Sequence, residues 1–235
     1  MNSISVIIPV LNEAKNIGAL LTYLDLNSSS KSISEILVVD GGSSDGTQAV
    51  ISEFSKIHPK VIGLKSPKGR AKQMNLGAAQ SKGTVLYFLH ADSIPPKNFD
   101  QYILEAIHKG GKTGCFKMKF DSNHWWLKLA GWFTQFNWKS CRGGDQSLFV
   151  EKIAFENIGG FNEDFVGWGR EDTELAVRLF NKGKFRKNIK FSGIAYHLHH
   201  EEKSRSNISV NDGHLCKSIN SKSTWCNNGL FKVKK

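Results

Sequence analysis

Three short polar clusters each follow an apolar run. Pro9-Val10-Leu11-Asn12-Glu13 closes the run that begins at Ile4. Asp40-Gly41-Gly42-Ser43-Ser44-Asp45-Gly46-Thr47 follows Ile36-Leu37-Val38-Val39, and His90-Ala91-Asp92-Ser93 follows Thr84-Val85-Leu86-Tyr87-Phe88-Leu89. Carboxylates and small hydroxyl residues at such places can bond a base and a ribose, and can reach a pyrophosphate through a hard divalent cation. A fourth cluster, Gly167-Trp168-Gly169-Arg170-Glu171-Asp172, sets an indole beside two acids, one of which could take a proton from a hydroxyl nucleophile. No loop reads GxGxxG or GxxxxGK[ST], which disfavours a dinucleotide Rossmann site and a P-loop. Singly, plainer readings win: Asp40 capping a turn, Asp92 starting a helix, Glu171 and Asp172 capping one. Their joint register with the apolar runs is hard to ascribe to chance.

The runs at 4–10, 36–39 and 84–89 are apolar on both alternating sets of positions, as strands covered on both faces of a parallel sheet must be. Helical stripes lie between them, with Leu20, Leu21 and Leu24 in a helix from about 14 to 25 and Val50, Ile51, Phe54 and Ile57 in one from 47 to 57. Asp45-Gly46-Thr47 supplies the turn before the second helix. The alternation predicts a doubly wound, mostly parallel α/β sheet with right-handed crossovers. Ligands bind at the carboxyl ends of such strands, where the polar clusters lie. Past residue 114 the alternation weakens into a Trp-rich stretch, a Gly-rich loop, a helix at 171–182, a strand near 190–196 and an irregular tail.

The sequence resembles inverting family 2 glycosyltransferases of the GT-A fold. The resemblance rests on Ile7-Ile8-Pro9-Val10-Leu11-Asn12-Glu13, on Val38-Val39-Asp40 with Ser43-Ser44-Asp45-Gly46-Thr47, on Gly69-Arg70-Ala71 through Asn75-Leu76-Gly77-Ala78, and on His90-Ala91-Asp92. Gly159-Gly160-Phe161-Asn162-Glu163 and the Gly-Trp-Gly-Arg-Glu-Asp run are similar to the acceptor and catalytic motif of galactosyltransferase-like C-terminal regions. The resemblance covers residues 3 to 200 and implies one GT-A domain over 1–200, with a nucleotide-sugar half at 1–112, an acceptor half at 113–200 and a basic tail at 201–235. It implies a donor site of Pro9, Asn12, Glu13, Asp40, Arg70 and Asp92, with Arg70 neutralising diphosphate charge or holding a uracil loop. It further implies acceptor contacts from Trp168, Glu171 and Asp145, and Asp172 as general base. Two departures stand out: Gly41 replaces a second acid after Asp40, and His90 replaces the first aspartate of the Asp-x-Asp metal motif.

The metal the resemblance implies is Mn²⁺ or Mg²⁺, held by Asp92 and, by similarity to galactosyltransferase-like tails, His197. Hard oxygen ligands suit either ion, and Mn²⁺ also accepts imidazole. His199 and His200 read as a solvated patch beside Glu201 and Glu202. The partners expected are a nucleotide-sugar donor, built on UDP, and a saccharide or glycolipid acceptor. A nucleotidyltransferase of similar fold and a polyanion-binding module are the competing readings. No nucleic acid is expected, because residues 182–222 set only Phe185, Phe191 and Tyr196 among their charges.

The net charge of +11 is unevenly spread. Residues 182–235 hold 12 Lys and Arg against three acids, while the first 181 hold 20 against 18. A basic tail suits solvation or an anionic surface. The stretch His124-Trp125-Trp126-Leu127-Lys128-Leu129-Ala130-Gly131-Trp132-Phe133 reads first as a core stripe, with an interfacial helix as the alternative. The four cysteines show no CxxC spacing, and no apolar window or signal-like leader stands out. A reduced cytoplasmic protein is expected, with peripheral contact at the inner membrane face an open option.

Overall fold

The computed structural model describes residues 2–29, 31–134, 146–164, 170–181 and 194–197, and strands at 207–211, 214–219 and 223–226. For 170–173, 180 and everything from 194 on, only the backbone is described. The elements run β1 (Ile4–Val10), α1 (Ile17–Asn27), β2 (Ile33–Asp40), α2 (Thr47–Ile57), β3 (Val61–Lys65), α3 (Arg70–Gln80), β4 (Val85–Phe88), β5 (Ser93–Ile94) and α4 (Phe99–His108). They continue with β6 (Thr113–Cys115), β7 (Lys117–Phe120), α5 (Trp125–Phe133), β8 (Leu148–Glu151), α6 (Lys152–Glu156), α7 (Arg170–Asn181), β9 (Ile194–His197), β10 (Asn207–Asn211), β11 (His214–Ile219) and β12 (Ser223–Cys226).

Six strands form the main sheet in the order β3-β2-β1-β4-β8-β6, with the first four parallel and β8 antiparallel to both its neighbours. The sequence explains why both faces are covered. Ile4, Val6, Ile8 and Val10 pack with Leu20, Leu21 and Leu24 of α1 and with Phe99 and Ile103 of α4. Ile7 points the other way, into a second cluster with Met74 of α3, Phe155 of α6 and Leu175 and Leu179 of α7. A run that alternates between two cores must be apolar at nearly every position.

Pro9 is the apparent exception in β1. The Leu89 N–H bonds to Ile7 O while the Gly41 N–H bonds to Val10 O, so odd residues of β1 face β4 and even ones face β2. Pairing with β4 ends at Ile7, so the N–H that Pro9 lacks costs the ladder nothing.

A second sheet, β5-β9-β7, sits beyond the end of β4 and brings β9 back beside the turn after that strand. The C-terminal region forms an antiparallel β10-β11-β12 meander where an irregular tail was predicted. The strand expected near 190–196 lies at 194–197 among the described residues. One expectation fails outright. The Trp-rich stretch is the helix α5, yet its three tryptophans are exposed, so it is not a core stripe.

Candidate active site

The loops after β1 and β2 form one hydrogen-bonded unit. Asp40, the last residue of β2, is buried at 3 % exposure. Its Oδ1 accepts from the Ser43 N–H at 3.0 Å and the Ser43 hydroxyl at 2.5 Å, and its Oδ2 accepts from Gln48 Nε2 at 2.6 Å. The Asn12 N–H donates to Ser43 Oγ at 2.8 Å, and Asn12 Oδ1 accepts from the Ser44 N–H at 2.9 Å. The Glu13 N–H reaches Thr47 Oγ1 at 2.9 Å, and the Ala14 N–H reaches Asp45 Oδ2 at 3.1 Å. Asn12 has a positive φ of 58°, which Asn tolerates better than most residues. The Thr47 hydroxyl, followed by the N–H groups of Ala14 and Thr47, holds the Asp45 carboxyl below its usual pKa despite some desolvation.

Beneath these loops lies Gln73 of α3, buried at 4 %. Its Nε2 donates to Val10 O at 2.8 Å and to Val39 O at 2.7 Å, tying the carboxyl ends of β1 and β2 together. This explains Gly41. A Cβ there would stand 3.0 Å from the Gln73 amide, so the place of a second acid is taken by the amide that closes the strand ends. Arg70 is the first residue of α3, half-buried and one turn before Gln73.

The turn after β4 carries His90, buried, and Asp92, half-buried. The Ser93 N–H bonds to His90 O at 3.0 Å, closing the turn that presents Asp92. Register then does what sequence spacing cannot: His197 pairs with Ser93, next to Asp92, across 104 residues of chain. Its side chain is outside the described residues.

The acid pair Glu171 and Asp172 lies in the first turn of α7, whose N–H groups and dipole favour carboxylates. Their side chains are outside the described residues, and Trp168 and Asp145 lie outside them entirely. What fixes α7 is visible further along it. Arg178 is engaged by the Glu174 carboxylate one turn before it, and donates to Ile158 O at 2.5 Å and Gly160 O at 2.7 Å. From the opposite side Asn75 of α3 accepts from the Phe161 N–H at 2.9 Å and donates to Phe161 O at 2.9 Å. Gly160 is required here, with φ of 67° and a Cβ position only 2.8 Å from Asn75 Oδ1. Phe161 packs edge-on against Phe88 at the end of β4, with centroids 4.9 Å apart.

Two family profiles match this architecture: "Glycosyl transferase family 2" over residues 5–160, and "N-terminal domain of galactosyltransferase" over 123–201. The chain belongs to glycosyltransferase family 2. Among curated relatives, glycosyltransferase AglE of Haloferax volcanii is 39 % identical over 176 residues, covering 71 % of this chain and 58 % of its own. The probable glycosyltransferase YdaM of Bacillus subtilis is 29 % identical over 201 residues, covering 77 % of this chain and 47 % of its own. The chain thus spans about half the length of these relatives. A Pyrobaculum calidifontis mannosyltransferase solved with GDP-Man and Mn²⁺ superposes with a TM-score of 0.64 at 18 % identity, covering 83 % of this chain and 56 % of its own. S. aureus TarS in complex with UDP gives the same score and identity over 84 % of this chain and 60 % of its own. These likenesses establish the GT-A fold.

Sequence reading of this family 2 chain located the loops but missed the residues that brace them. Gln73 falls within a quoted motif, and the signal was available: it adjoins the stripe Ala71, Met74, Gly77, Ala78, and a polar residue beside a buried stripe must find a partner. Glu174 and Arg178 are a readable i,i+4 pair. Their carbonyl targets, 18 to 20 residues earlier, are not readable.

Proposed function

We propose that the chain is an inverting, metal-dependent transferase that moves a sugar from a nucleotide diphosphate, UDP being the base-bearing carrier best suited, to a hydroxyl of a cell-envelope glycan or lipid-linked saccharide. The observation that carries it is the bonding of the Asn12–Glu13 loop to the loop after Asp40, at the carboxyl ends of β1 and β2, with the Asp92 turn following the neighbouring strand β4 in a sheet of this family's fold. Solved neighbours hold UDP-GlcNAc or GDP-Man with Mn²⁺, which supports a nucleotide-sugar donor. Relatives named for poly-β-1,6-N-acetyl-D-glucosamine synthesis and succinoglycan biosynthesis support the envelope-glycan class. Residues 1–112 are assigned the donor and 113–200 the acceptor.

On this reading Asp40 accepts a ribose hydroxyl or base N–H. Three hydrogen bonds already fix its carboxylate, which has about four acceptor positions. Pro9, Asn12 and Glu13 form the wall of the base site, and Arg70 offers charge to the diphosphate. The donor set fits a cation shared with phosphates, because such a cation needs few protein groups and half-buried Asp92, in the turn after β4, supplies one hard carboxylate. His197 is assigned as the second ligand. The cation's contribution would be to offset pyrophosphate charge. Asp172 takes the proton from the acceptor hydroxyl as its oxygen bonds to the anomeric carbon. The bond from that carbon to the diphosphate breaks, and the nucleoside diphosphate leaves with the electron pair. Trp168, Glu171 and Asp145 are assigned to the acceptor.

Calorimetry of UDP with Mn²⁺ tests the donor half. Asp92→Ala should abolish the Mn²⁺-dependent part of binding, a loss of at least ~10-fold. Unchanged affinity removes Asp92 from the site.

A further inference from the structure

Most surface helices turn their apolar stripe inward. In α5 the stripe faces out. Trp125, Trp126 and Trp132 are 68 %, 56 % and 54 % exposed. At 100° per residue these three, with half-buried Leu129 and Phe133 and exposed Lys128, span an arc of ~160°. The opposite side is where α5 is fastened to β7. Buried Gly131 lies against Met118 O, and the Met118 N–H donates to Thr134 Oγ1 at 2.9 Å. The tryptophans therefore project from an anchored helix with exposed Lys128 among them, and the neighbouring strand β7 carries the exposed Lys117 and Lys119.

We infer that the outward face of α5 is a docking surface for an anionic lipid bilayer. Three indoles buried to headgroup depth supply apolar area and a polar N–H that suits the interface, and lysine stems let charged heads reach lipid phosphates. Charge favours a bilayer over a second copy as the occupant, because a two-fold interface would set Lys128 against Lys128 and bring together two chains of net charge +11. Phosphate headgroups neutralise this charge instead, and the surplus of nine basic residues over residues 182–235 adds attraction of the same sign. No described helix is long and apolar enough to cross a membrane, so attachment through α5 is peripheral. The inference does not depend on the transferase reading.

The test uses the full chain with vesicles of phosphatidylcholine alone and of phosphatidylcholine mixed with phosphatidylglycerol. The chain should co-sediment with the mixed vesicles, with a blue-shifted tryptophan emission. The triple variant W125S/W126S/W132S should bind them at least ~10-fold more weakly with an unchanged Tm. If the triple variant does not fold, W125S and W126S singly should each weaken binding by a smaller factor. Equal binding by variants and parent overturns the proposal, as does equal binding to both vesicle types. So does a dimer in solution that the triple variant converts to monomer. Calorimetry of UDP with Mn²⁺ on the same preparations separates this failure from failure of the donor site.

Discussion

Asn12 and Ser44 are joined across 32 residues of chain, whereas Asn75 and Phe161 are joined across 86, and the two halves of the site are held accordingly. On the side proposed for the donor, adjacent parallel strands end side by side, and the loops that leave them bond to each other directly. Ser43, Ser44, Asp45 and Thr47 from one loop answer Asn12, Glu13 and Ala14 from the other. On the side proposed for the acceptor, the bracing that is described lies one to two turns from the acid pair. Arg178, in the last turn of α7, grips the Ile158 and Gly160 carbonyls, and the acid pair sits six and seven residues before it. A binding loop bonded through its own residues is pre-organised at the point of contact. A helix clamped in its last turn carries its first turn as a rigid lever.

The comparison predicts different failures, of which loss of the base is the largest. Asp172→Asn should bind UDP and Mn²⁺ as before and turn over at least ~100-fold more slowly, with the loss in kcat. Near-full turnover on a true acceptor would remove Asp172 from the chemistry. Unfolding of this variant would show a capping role instead.

Next comes the clamp. Arg178→Ala should cost about 2 kcal/mol, since it strips two carbonyls and a carboxylate of a charged donor. It should also lower kcat while donor affinity holds. Arg178→Lys should recover part of the stability but less of the rate, because one ammonium cannot match the guanidinium fork. Equal losses in donor affinity and kcat would mean that the two halves are not separately braced.

Gln73→Leu should act on the other half. It leaves Val39 O without the amide and cuts the tie to Val10 O, at a cost of about 1–2 kcal/mol. Donor KM should rise while kcat at saturation changes little. A kcat effect without a KM effect would break the division proposed here.

The smallest effect concerns pH. The folded pKa of Asp45 is depressed, so its contribution is present above its unfolded value near ~3.9 and is lost as pH falls through the lowered folded value. Thermal midpoints of the parent and Asp45→Asn should differ at neutral pH and converge in acid. A constant difference down to low pH would show that the Asp45 hydrogen bonds do not depend on its charge.

Sequence by itself determined the strands and the places where loops leave them. Periodicity and composition put β1, β2 and β4 within a few residues of their ends, because an element covered on both sides must be apolar throughout. The same logic located α2 and α7 to within a residue or so. Residue type joined to placement, after the apolar runs or beside Gly167-Trp168-Gly169, made Asp40, Asp92 and the Glu171–Asp172 pair candidates. Tertiary structure decided what stands beside them. Gln73 under Gly41, Asn75 and Arg178 around the Gly160 turn, and β9 alongside the Asp92 turn are pairings over 18 to 104 residues. Such pairings depend on which backbone carbonyl ends up without a partner, and side-chain spacing does not encode that. The Trp-rich helix marks the same boundary from the other side. Its sequence says apolar, and apolar segments are usually core, but whether a helix turns its stripe in or out is set by what it packs on. Here Gly131 and Thr134 fasten the small-residue side to β7, and the indoles are left facing outward.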